Sequence, residues 1–95
     1  MIAKRELTVR MADGTEETAL LILGAPNENA DGSYFCKVTI SGSALGSREL
    51  RAVGEDSLQA IVLALRVAAA WLDGTTEGRA GRINWLGQGS PYGLL

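Results

Sequence analysis

GEDSLQAIVLALRVAAAWLDG, residues 54–74, decides the fold. Gly54 ends a strand pattern. Asp56, Ser57, Leu58 and Gln59 then have the form of a capping box, with Asp56 accepting from first-turn amides and Gln59 reaching back. The next run is rich in Ala and Leu and includes Arg66, all residues of high helix propensity. The spacing predicts a helix from Ser57 to Asp73, stopped at Gly74 by glycine in the left-handed conformation. At about 100° per residue, Leu58, Ile61, Val62, Leu65, Ala69 and Leu72 fall in one stripe, the set expected to pack on a sheet. Gln59, Arg66 and Asp73 form a thin polar line beside it. A third face, Ala60, Leu63, Ala64, Val67, Ala70 and Trp71, is apolar as well and needs a cover. Two covers suit it. The C-terminal segment with Ile83, Trp85, Leu86, Tyr92 and Leu94 can fold back over it. Alternatively a second copy packs there, with small Ala60 and Ala64 permitting close approach, Val67 beside them and Trp71 as anchor.

Upstream of the helix the pattern changes to period two. Residues 5–11 alternate, with Leu7, Val9 and Met11 on one side and Glu6, Thr8 and Arg10 on the other, which marks a half-buried strand. Asp13-Gly14 supplies a tight hairpin turn. Thr18 to Leu23 is apolar on both faces and reads as an interior strand ended by Gly24-Ala25-Pro26. After a polar loop from Asn27 to Ser33, Tyr34, Cys36, Val38 and Ile40 alternate with Lys37, Thr39 and Ser41. A Gly/Ser turn, Ser41 to Ser47, leads to a fourth strand, Arg48 to Val53, with Leu50 and Ala52 inward. Downstream, a polar linker from Thr75 to Gly81 precedes a short fifth strand at Arg82 to Leu86 and a glycine-rich tail, residues 87–95. The expected architecture is α+β: an antiparallel meander of four to five strands with one long helix packed on one face, a single domain over residues 1–95. One helix is too few for a doubly wound sheet.

Composition narrows the function. Nine basic against eleven acidic residues give a net charge of −2 with no basic run, which argues against nucleic-acid binding. The stretch Leu58 to Leu72, interrupted by Gln59 and Arg66, falls short of the about 20 residues of a membrane span, so a buried helix is expected and no membrane partner. The charged start, with Lys4, Arg5, Glu6 and Arg10, lacks the apolar core of a secretory signal, and a cytoplasmic location is expected. One cysteine and no histidine leave no intrachain disulfide and no Cys/His zinc site.

Candidate chemistry is sparse. Asn27 to Gly32 partly matches the start of a calcium loop, but the twelfth position is Val38 rather than a bidentate Glu, and strands flank it. Gly87, Gly89 and Gly93 echo a phosphate-cradling loop without the helix that should come after it. Cys36 lies among apolar neighbours with no histidine to activate it. Acid/base work would fall to Glu49, Glu55, Asp56 or Asp73, and no spacing brings any pair together. The residues therefore assign no catalytic group, no metal and no cofactor.

The loop Gly24-Ala25-Pro26 with Asp31-Gly32 and Cys36, the helix opening Gly54-Glu55-Asp56-Ser57-Leu58-Gln59-Ala60, its continuation Leu63-Ala64-Leu65-Arg66, and the closing Gly81-Arg82 to Trp85 carry a resemblance. Over most of its length the chain resembles a family of short bacterial proteins of unknown function. That resemblance implies a shared structure and no activity. The expected role is a non-enzymatic protein-interaction module that forms a homodimer through its helix, with Ala60, Ala64, Val67 and Trp71 at the contact. An antagonist or immunity-type protein binding another protein is the second expectation, and a small-ligand-binding domain using the Trp85 region the third.

Overall fold

The computed structural model describes residues 1–94. Its elements are β1 (Ala3–Arg10), β2 (Glu16–Leu23), β3 (Asn27–Glu28), β4 (Tyr34–Gly42), β5 (Gly46–Gly54), α1 (Ser57–Gly74), α2 (Thr76–Arg79) and β6 (Ile83–Asn84). All pairings are antiparallel, and the four long strands lie side by side in chain order, β1, β2, β4, β5. The expected α+β meander with one long helix on one face is thus the observed architecture. Two short strands extend it. β3, in what the sequence suggested was loop, pairs with the same edge of β4 that β2 uses, and β6 returns to the outer edge of β1.

Alternation decides which face is covered. Leu7 and Val9 of β1, Leu21 and Leu23 of β2, Cys36, Val38 and Ile40 of β4 and Ala52 of β5 are buried together on one side. Glu6, Thr8, Lys37, Thr39, Glu49 and Arg51 alternate to the other side, which is left to solvent as an antiparallel sheet allows. Two turns share one device. The Asp13 carboxylate accepts from the Thr15 amide (2.9 Å) and hydroxyl (2.6 Å). Asp31 repeats this with the Ser33 amide (3.0 Å) and hydroxyl (2.6 Å). A glycine at positive φ sits between the two residues each time.

α1 rests on β4 and β5. Its opening matches the expected cap: the Asp56 carboxylate accepts from the Gln59 amide at 2.7 Å, and Gln59 Oε1 accepts from the Glu55 amide at 2.6 Å. Its phase differs from expectation. Ala60, Ala64 and Ala68 are fully buried on the sheet side, with Leu72 one turn further. Leu58, expected in the core stripe, is 68% exposed. The cause is at the junction: a Cβ on Gly54 would stand 2.5 Å from the Ala60 amide nitrogen. Backbone meets backbone there, and only alanines fit beneath a helix held so close.

The other end of α1 differs as well. Gly74 stays helical, and the stop is Thr75, in extended conformation, whose hydroxyl donates to the Leu72 carbonyl at 2.7 Å and accepts from the Gly78 amide at 3.0 Å. One threonine thus closes α1 and caps α2, which occupies the expected linker.

Gly54→Ala is expected to destabilise the domain by about 2 kcal/mol through overpacking against α1, read as a fall in the urea midpoint. The Thr15 and Ser33 hydroxyls, and then their amides, hold the Asp13 and Asp31 carboxyls below the usual carboxylate range. The stability from these turns is therefore present above about pH 4 and is lost as pH falls through the lowered values. Denaturation across that range is expected to show a smaller acid loss in the Asp13→Asn, Asp31→Asn double variant.

Candidate functional site

Two different covers lie over the inner face of the sheet. α1 takes the half above β4 and β5. The half above β1 and β2 is taken by the tail. Trp85 comes directly after β6, and Arg5, which alternation places inward with Leu7 and Val9, lays its guanidinium over the Trp85 ring, 3.7 Å from the centroid. The same guanidinium donates to the Tyr92 carbonyl at 3.1 Å. Tyr92 is buried, and its hydroxyl donates to Asp73 at the end of α1 at 2.8 Å, while Ser90 donates to the other carboxylate oxygen at 2.8 Å. The tail is thereby tied to both the first strand and the helix. It covers the flank of α1 that carries Leu65, not the face for which a cover was expected.

The four residues expected at a helix-to-helix contact are divided by this geometry. Ala60 and Ala64 are fully buried beneath α1, so they have no surface to offer a partner. Trp71 is half-buried at the rim of the core, and Val67 is 37% exposed. The bare side of the helix carries Leu63, Val67 and Ala70 on the flank away from the tail, while exposed Leu58, seven residues before Leu65, lies on the other flank near the start of the helix. Only 28% of α1 is buried. By length and composition alone it would be long and apolar enough to cross a membrane, but its alanine line is packed on the sheet.

A cleft of about 190 Å³ opens where the tail meets the sheet. Leu21, Leu23, Leu65 and Leu94 form an apolar floor, and Lys4 and Arg5 stand at its edge. Trp85, whose region the sequence suggested for a small ligand, is not part of its lining, and neither are Trp71 and Tyr92.

A family model described as "Domain of unknown function (DUF6968)" matches residues 3–95. The chain belongs to the DUF6968 family. No curated protein and no solved structure matches it.

In this DUF6968 domain the carboxylates considered for acid/base work have structural tasks. Glu49 pairs with Lys37 at 3.8 Å, Asp56 caps α1 and Asp73 holds the tail. The Glu55 amide, and not its side chain, serves the helix opening. Around the calcium-like loop, Asn27 and Asn29 donate to the Ala25 carbonyl and the Ser33 hydroxyl, and Asp31 is held in its turn. Cys36 is fully buried with its thiol directed to the Gly24 carbonyl at 3.4 Å, and burial pushes that thiol up. The Arg5 clasp escaped the sequence reading, although its signal was present: Arg5 has the parity of Leu7 and Val9, so an inward cation needed an inward partner.

Burial first, and then the hydrogen bond to and charge of Asp73, push the Tyr92 phenol above the ordinary tyrosine range. Its contribution is therefore full below about pH 10 and is lost as pH rises through the raised value. Spectrophotometric titration is expected to show one phenol ionising late, together with unfolding. Tyr92→Phe should remove that coupling and lower stability by about 1 kcal/mol.

Proposed function

We propose that this DUF6968 domain is a non-enzymatic protein-interaction module that self-associates through the bare flank of α1. The observation that carries the reading is that flank. Leu63, Val67 and Ala70 succeed one another along a helix whose opposite flank is covered by the protein's own tail. An apolar helix side of this kind marks an interaction surface. A second copy suits it because the stripe is uncharged, ends in a small residue that permits close approach, and can meet itself across a two-fold axis. Self-association also suits a chain of 95 residues, which by its size buries a limited share of its own surface. The expected interface is therefore Val67 and the rim of Trp71, joined by Leu63 and Ala70 in place of Ala60 and Ala64.

A small-ligand reading is favoured by the cleft beside Arg5. It expects quenching or enhancement of Trp85 fluorescence in a screen of small amphiphilic carboxylates, since Arg5 both lines the cleft and lies on that ring.

Light scattering decides the main reading. The wild type is expected to be a dimer at high micromolar concentration, and Val67→Glu to weaken it at least tenfold, about 1.4 kcal/mol. A monomeric wild type would remove the proposal. Ala64→Glu is no test of the interface, because it buries a charge beneath α1.

A further inference from the structure

We infer that the partner of this domain is a second copy joined edge to edge through β5, in the antiparallel register centred on Leu50. The inference rests on the self-association proposed above and supplies its geometry. β5 is nine residues long, pairs with β4 along its whole length without a bulge, and has no strand on its outer edge among the described residues. It contains no proline. A long edge of this kind, with its outer amides and carbonyls unpaired, is a template for another strand.

Symmetry and charge select the register. Two copies of one strand paired antiparallel across a two-fold axis must place same-face residues opposite each other, so the axis passes through a residue and not between two. With the axis at Leu50, all nine residues pair, Gly46 against Gly54. Glu49 then stands opposite Arg51 of the second copy, and Arg51 opposite its Glu49. Moving the axis one residue sets Glu49 against Glu49 or Arg51 against Arg51, like charges directly opposed. Within the single copy Arg51 is already opposite Lys37, another cation. Lys37 leans to Glu49, and Arg51 lies over the Phe35 ring, 4.0 Å from its centroid. Among the described residues Arg51 has no carboxylate partner. The second copy supplies one.

The same axis brings the bare helix flanks together. α1 rests on β4 and β5, and strands lie about 4.8 Å apart. The helix axis therefore stands about 5 Å from the two-fold, and the two helices about 10 Å from each other, the spacing of directly packed helices. Since the tail holds the Leu65 flank, it is the flank of Leu63, Val67 and Ala70 that meets its copy.

A charge-swap cycle monitored by sedimentation equilibrium tests this. Glu49→Arg and Arg51→Glu are each expected to raise the dimer Kd roughly tenfold or more. The double variant, which restores opposite charges across the axis, should return to within about threefold of the wild type. Both side chains are exposed, so the variants are expected to stay folded, which thermal melts check. Leu50→Cys is expected to give a covalent dimer on mild oxidation, because directly opposed residues lie about 5 Å apart, within disulfide reach. The native Cys36 is buried and does not compete. Single swaps without effect, a double variant as weak as the singles, or no cross-link would each overturn the register. If Val67→Glu dissociates the dimer while the swaps do not, self-association through α1 stands and the β5 pairing falls. If the wild type sediments as a monomer, both fall.

Discussion

The contact between the backbone of Gly54 and that of Ala60 governs most of this fold. It sets how close α1 lies to the sheet, and closeness in turn selects which stripe of the helix faces down. Along the first turns Ala60, Ala64 and Ala68 occupy the sheet side, and the line admits a leucine only at Leu72, farthest from the contact. The larger side chains, Ile61, Leu63, Leu65 and Trp71, are displaced to the two flanks, where they pack against the core as partly buried residues. A helix seated on its small residues buries little area per residue. The inner face of the sheet is therefore only half covered by it, and the tail has to supply the rest.

The tail does so with few but directional contacts. Tyr92 fills the core and donates to Asp73, and Arg5 bridges the Trp85 ring and the Tyr92 carbonyl. The result is an asymmetric helix: one flank is partly covered by the protein's own tail, and the other is bare beside the free edge of β5. Sheet edge and helix flank form one continuous surface, and this continuity ties the proposed role to the fold.

The elements were largely legible in the sequence because they depend on local pattern. Period-two alternation marked β1, β4 and β5, a two-sided apolar run marked β2 as interior, and Asp56 with Gln59 marked the start of α1. The phase of the helix was not legible. Leu58 and Ala60 compete for the core, hydrophobicity favours the leucine, and the backbone contact at Gly54 decides for the alanine. The stop at Thr75 was hidden for a similar reason. Gly74 has the right residue type for a left-handed stop, but Thr75 offers two side-chain hydrogen bonds where glycine offers none. Two of the four expected interface residues were lost with the helix phase, while Val67 kept its place at the surface. The Arg5 clasp lay beyond local pattern altogether, since its partners come from the far end of the chain.

The clasp between Arg5 and Tyr92 joins positions 87 residues apart in the chain. β1 also needs β6 along its outer edge. During synthesis β2, β4, β5 and the sheet side of α1 have their partners once residue 74 has left the ribosome, but the outer edge of β1, the inner side of β1 and β2 and the Asp73 end of α1 stay open until residues 83–94 emerge. The order of assembly is therefore built into the topology: a ββββα unit gathers first from near neighbours, and the longest loop in the molecule closes last.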